Sequence, residues 1–272
     1  MPAEDITQTN NQAVAYSGEA SGEMIEAGVF YGRKKSKTHP KMKQYVLMNR
    51  GGIEIIDLAK TAEALEKAVG FLKEKVRGGG LVLLVGTQAA AEAEIIRLAE
   101  RFHLPYVTNR WAGGTMTNFK IISKRVEYFK KLRGDFASGA LEKYTKKERL
   151  GLEREMRRLK ELFGGLENLT KEPDVLVAID PNLHHTAVRE ANRAKIPVIA
   201  LGNVDADPDV IDYLVPGNDK ARKSITWFLA KVEAAIAEGI ASRAEPVRIE
   251  DEKKSATDDK QPLIVNDINV HV

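Results

Sequence analysis

Three short apolar runs constrain the fold of this chain more than any other feature: LVLLVG (Leu81–Gly86), DVLVAID (Asp174–Asp180) and IPVIALG (Ile196–Gly202). Their apolar stretches are continuous rather than alternating, the mark of strands buried on both faces of a parallel sheet. Segments of helical period separate them. After the first run, AAAEAEIIRLAERF (Ala89–Phe102) is built from good helix formers and sets Ile95, Leu98 and Phe102 at helical spacing. LPYVT reads as a further strand, and LHHTAVREANRA as the helix between the second and third runs. DYLVPG (Asp212–Gly217) is a short last strand ahead of a long C-terminal helix, NDKARKSITWFLAKVEAAIAEG. TAEALEKAVGFLKEKV (Thr61–Val76) is a helix that precedes the first run. This alternation predicts an α/β fold: a doubly wound parallel sheet with helices on both faces.

One region breaks the alternation. From Thr117 to about Leu166 no strand pattern occurs. Phe119, Ile122, Val126 and Phe129 are spaced 3, 4 and 3 residues apart, and Leu152, Met156, Leu159, Phe163 and Leu166 are spaced 4, 3, 4 and 3. Both are narrow, heptad-like stripes. GDFASGALEKY between them supplies turn residues, and Thr145 with Glu148 has the spacing of a capping box. The expectation is an antiparallel, coiled-coil α-helical hairpin, at about 117–166, inserted into the α/β domain. Its off-stripe surface is basic.

Net charge is +3, but the charges are sorted into blocks. Residues 1–26 hold five acids and no base, a net of −5; residues 28–53 hold seven bases and no acid, a net of +7. Residues 120–158 hold 13 bases and 6 acids, again +7, while residues 244–272 hold 4 bases and 7 acids, −3. Such blocks set local fields that the total conceals. Polar composition predicts a disordered acidic tail over residues 1–22 and a largely disordered acidic tail over residues 244–272. The domain between them is residues 23–243. The final LIVNDINVHV is apolar, either a peptide that finds a partner or a loose end. No disulfide or thiolate site is possible, because there is no cysteine. The N-terminus lacks the basic and apolar regions of a signal peptide, and no run of about 18 apolar residues occurs. The expected location is cytoplasmic, away from membranes.

Candidate chemistry is sparse. Gly86-Thr87-Gln88-Ala89 lies where doubly wound folds hold phosphates. It has one glycine rather than Gly-x-Gly-x-x-Gly, so a structural turn is the reading adopted. Asp180, Asp205, Asp207 and Asp209 lie at or near strand ends and could hold Mg²⁺ or cap turns; capping is favoured. His39, His103, His184, His185 and His271 form no ligand pattern, and no serine sits in Gly-x-Ser-x-Gly. No catalytic residue, cofactor or metal is therefore assigned.

The block YGRKKSKTHPKMKQY mixes Arg33, Lys34, Lys35, Lys37, Lys41 and Lys43 with Tyr31, His39 and Tyr45, and Pro40 prevents a simple helix. A solvated loop usually mixes signs, so this block is read as binding nucleic acid. TNRWAGGTMTNFK (Thr108–Lys120) exposes Arg110 beside Trp111, one of two tryptophans. That indole either stacks on a base or packs under the hairpin. Gly113 and Gly114 permit a sharp turn, and Thr115 or Thr117 is expected to cap the helix that follows.

GVFYGRKKSKTHPKM, VGTQAAAEAE, TNRWAGGTMTNFK, PDVLVAID, EANRAKIPVIAL, DADPDVIDYLVPGND and ARKSIT occur in this order. Over about Glu23 to Gly239 the chain resembles the bacterial small-subunit ribosomal protein two family. The resemblance implies a flavodoxin-like domain with an inserted coiled-coil hairpin. It also implies a structural, non-catalytic role, with small-subunit ribosomal RNA and neighbouring small-subunit proteins, protein one included, as partners. Phe30 and Arg33 stand where many bacterial members carry histidine, so no histidine or metal role is carried over. The residues expected on RNA are Arg33, Lys34, Lys35, Lys37, Lys41 and Lys43, then Arg110, Trp111, Lys120, Lys124 and Arg125. The alternative is an enzyme holding a nucleotide or sugar phosphate at the strand ends.

Overall fold

The computed structural model describes residues 19–243. A first helix, α1 (Glu19–Glu26), starts within the expected N-terminal tail; the rest of that tail and the whole C-terminal tail lie outside the described residues. The chain then forms β1 (Tyr31–Lys34), β2 (Val46–Arg50) and β3 (Ile53–Ile56), followed by α2 (Leu58–Arg77). Next come β4 (Val82–Val85), α3 (Ala89–Phe102) and β5 (Tyr106–Val107). Two consecutive helices follow, α4 (Phe119–Ala137) and α5 (Lys146–Phe163). The domain ends with β6 (Val175–Ile179), α6 (His185–Ala194), β7 (Val198–Gly202), β8 (Tyr213–Pro216) and α7 (Arg222–Ala241).

The main sheet has five strands in the order β5-β4-β6-β7-β8, every neighbouring pair parallel. Burial on both faces explains the continuous apolar runs. Val82, Leu84, Val175, Val177, Ile199 and Leu201 enter one core with residues of α1, α2, α3 and α7. Leu83, Val85, Leu176, Ala178, Val198 and Ala200 enter the other, with α4, α5 and α6. The two-residue period of a strand divides each run between two hydrophobic layers.

The region 117–166 contains two helices whose stripes turn to the core, with Phe119, Leu152 and Met156 only half-buried. Ile122, Val126, Phe129 and Leu132 line α4, and Leu159 and Phe163 line the last turns of α5. The capping box at Thr145 and Glu148 is present, with both reciprocal bonds formed. Arg133 bridges to Glu167 (Nη2–Oε2 2.8 Å), and Lys130 Nζ donates to the Glu167 carbonyl at 2.7 Å, tying α4 to the segment that leaves α5. A Cβ on Gly165 would collide with the Tyr106 carbonyl oxygen, so glycine lets this junction close against the edge strand β5.

The basic block differs from the loop expected of it. It opens with β1 of a second, three-stranded antiparallel sheet of order β1-β3-β2. Gly51 and Gly52, with φ of 58° and 81°, form the two-residue turn between β2 and β3.

Candidate nucleic-acid interface

The arm from Tyr31 to Tyr45 lies across the carboxyl ends of β7 and β8. His39 N–H donates to the Val204 carbonyl at 2.8 Å, Asn218 N–H to the Val29 carbonyl at 3.0 Å, and the Met42 side chain is wholly buried. Short 3₁₀ turns at Lys35–Lys37 and Pro40–Tyr45 carry the chain round, with Pro40 at a helix start where no N–H is needed. Anchoring the backbone this way leaves Lys34, Lys35, Lys37, Lys43 and Arg50 exposed. Among the described residues these five make no ion pair, whereas Lys41 pairs with Asp209.

Arg33 takes the opposite direction. Its Nε donates to Asp205 Oδ1 at 2.7 Å, and its Nη2 lies 3.1 Å from both carboxylate oxygens of Asp219 and 3.9 Å from Asp180 Oδ2. Asp180 also accepts from Lys220 Nζ at 2.6 Å and from Gln88 Nε2 at 3.1 Å. Burial drives the Asp219 carboxyl up to about 6, helped by the negative charge of Asp180 and opposed by Arg33. Burial also pulls the Arg33 guanidinium down, but Asp219, Asp205 and Asp180 offset this and leave it raised.

The cluster fills the crevice at the carboxyl ends of the strands, where open α/β sheets bind their ligands. Next to it, the buried His184 closes the turn after β4. Its Nδ1 faces the Asp180 carbonyl at 2.9 Å, and its Nε2 accepts from Thr87 N–H at 3.1 Å. That network requires a neutral ring protonated on Nδ1, and burial holds its pKa below the ordinary histidine value. The amide a phosphate would use is thus occupied by the protein itself. Asp180 and Asp205 sit around a guanidinium, and no metal-binding group of three or more His, Cys, Asp or Glu occurs among the described residues.

The second set of expected residues follows β5, at the other edge of the sheet. Four inter-strand steps separate that edge from β8, roughly 19 Å in all. Arg110, Lys120, Lys124 and Arg125 are exposed there, while Trp111 is half-buried against the core. The organiser of this loop is Glu190 of α6, 7% exposed. Its Oε1 accepts from Trp111 Nε1 at 3.0 Å and from Gly114 N–H at 2.8 Å, and its Oε2 accepts from Met116 N–H at 3.1 Å. Gly114 has φ of 91°, a conformation that costs glycine little and aims its N–H at the carboxylate. The expected threonine cap is not formed. Thr115 Oγ1 donates instead to the Ala112 carbonyl at 2.6 Å, Thr117 reaches toward Glu190, and Asn118 caps α4 without a side-chain bond.

Glu190 was not among the expected site residues. Its signal was a lone acid beside Ala187, Val188 and Ala191, the buried face of α6. The Arg33 partners carried no such local sign, since Asp205 and Asp219 lie 172 and 186 residues away in sequence.

The geometry defines an α/β protein that presents basic surfaces, with Arg33 and Lys220 paired to the carboxylates at its strand ends. Comparison with known proteins specifies it further. The ribosomal protein S2 family model matches residues 24–239. Small ribosomal subunit protein uS2 of Thermus thermophilus is 42% identical over 225 residues, covering 82% of this chain and 88% of its own length. Its counterparts in Nocardia farcinica (41% over 222 residues; 82% and 78%) and Corynebacterium kroppenstedtii (40% over 242 residues; 89% and 84%) are similar to nearly the same degree. The chain belongs to the ribosomal protein S2 family, structural rather than enzymatic proteins of the small ribosomal subunit. No helix among its described residues is long and apolar enough to cross a membrane.

Proposed function

We propose that this protein holds small-subunit ribosomal RNA through two separate cationic surfaces on a rigid body. Lys34, Lys35, Lys37, Lys41 and Lys43 form the first, with Arg33 fixing the arm that carries them. Arg110, Lys120, Lys124 and Arg125 form the second. The observation that carries this reading is the run of arm lysines, four of them exposed and unpaired among the described residues, on a backbone anchored to β7 and β8. Fixed cations of this kind neutralise phosphates and position the protein without reading sequence; RNA is then recognised by shape.

The strand order, numbered along the main sheet as 2-1-3-4-5, supports a flavodoxin-like reading of the body. The facing stripes of α4 and α5 support a coiled-coil-like hairpin. The basic start of α4 belongs to the second RNA surface, and we assign contacts with neighbouring small-subunit proteins, protein one included, to the remainder of the hairpin. Co-sedimentation with small ribosomal subunits at moderate salt tests the function. Binding that is lost when Lys34, Lys35, Lys37 and Lys43 become alanine supports it, and undiminished occupancy refutes it.

A further inference from the structure

The half-buried Trp111 stands at the wall of an open cleft of about 670 Å³ between the β5–α4 loop and the last turns of α5. Arg110 and Arg158 flank it, Leu162 supplies an apolar surface, and Asn109 and Glu161 supply polar groups. The volume falls within the usual range of small-ligand sites. Three observations say what the cleft is built for.

The first is that the indole is held still. Its Nε1–H is committed to Glu190, so the ring has no polar group left to orient it otherwise. A clamped, partly exposed aromatic face is a stacking platform whose ordering cost is met within the fold. The second is charge. Arg110 and Arg158 are exposed and make no ion pair among the described residues, although Arg133 and Arg157 nearby do. The third is space. A Cβ on Gly113 would meet nothing within 4 Å, so packing does not demand glycine there; its absence of side chain leaves the backbone open to the cleft.

We propose that this cleft receives one unpaired nucleobase of RNA. The base stacks on Trp111, its flanking phosphates lie against Arg110 and Arg158, and Glu161 accepts from an amino or imino N–H on its edge. The inference rests on the RNA-binding reading above and adds to it a single-stranded subsite. Every base has a π face and at least one N–H donor on its edge, so both the platform and the contact to Glu161 tolerate sequence.

The test uses the full chain and two kinds of probe, labelled single-stranded oligoadenylate and oligouridylate, and a short RNA duplex. Label anisotropy reports binding at any surface. Tryptophan emission, compared between the wild-type protein and Trp111→Phe, isolates the signal of Trp111 from that of the buried Trp227. Saturable quenching of Trp111 by the single strands and not by the duplex supports the proposal. So does about ten-fold weaker single-strand binding by Gly113→Leu, whose Cβ meets no atom of the fold within 4 Å and whose side chain adds bulk at the cleft, provided the urea midpoint is unchanged. Bound RNA with unchanged Trp111 emission overturns the cleft and leaves the RNA reading standing. Equal quenching by the duplex, or by polyglutamate, also overturns it, the latter in favour of an acidic protein segment. Failure of every RNA to bind at low salt overturns both readings.

Discussion

Arg33 and Arg110 are the same residue type in two basic stretches, and the fold uses them in opposite ways. Arg33 is 22% exposed at its side chain and surrounded by Asp205, Asp219 and Asp180. Arg110 is exposed and has no such partner among the described residues. At the carboxyl ends of the strands, positive charge closes a crevice and secures the arm. Beyond β5 it faces outward, while the buried charge is the carboxylate of Glu190. Each region therefore has interior charge that organises backbone and several exterior charges left for a partner. A charge near a strand end reports function only once its partners are known.

Breaking the interior charges should have the largest effects. Arg33→Ala leaves Asp219 and its neighbours without their cation in a desolvated site. Urea unfolding should show a loss of about 3 kcal/mol, with partial recovery in Arg33→Lys. An unchanged unfolding midpoint would mean that the cluster does not fasten the arm. Glu190→Ala orphans the Trp111 Nε1–H and two backbone amides. The expected cost is about 2 kcal/mol, accompanied by a red shift of Trp111 emission as the ring is released. Glu190→Gln, which keeps one acceptor, should fall between that variant and the wild type.

The pH response of the crevice is a smaller effect with a definite sign. His184 is depressed, so its contribution is complete above about pH 6.5 and is lost as pH falls toward its folded value. Asp219 is raised to about 6, so the folded chain takes up its proton first. Its contribution grows as pH falls from about 6 toward the ordinary aspartate value, opposing the loss at His184. Asp219→Asn removes that opposition, so its stability should decline more steeply than the wild type's between pH 6.5 and 4. Parallel curves would contradict the buried-carboxyl account.

The contrast between the two regions also separates what was legible in the sequence from what was not. Leu81–Gly86, Asp174–Asp180 and Ile196–Gly202 were readable as strands because they are buried on both faces, and the stripes of α4 and α5 because each helix buries one narrow face. The small antiparallel sheet escaped notice although Gly51-Gly52, between two apolar-containing runs, is a hairpin signal. The direction of Arg33 had no local signature. Its carboxylates come from loops after β6, β7 and β8, which the topology brings together only when the sheet closes. Trp111 had two open readings, and the structure adds a constraint to both: its polar edge is turned inward onto Glu190 while the half-buried residue still lines the cleft.

The most direct test of the account compares inward and outward charge in one titration. RNA affinity of the full chain is measured across a range of salt concentrations for the wild type and for the variant with Lys34, Lys35, Lys37 and Lys43 replaced by alanine. Each lost phosphate contact lowers the log–log salt slope by about 0.7–0.9, so the slope should flatten by roughly 3 units while the urea midpoint stays put. An unchanged slope, or a lost fold, would contradict the claim that these exposed lysines bind RNA while Arg33 holds the arm.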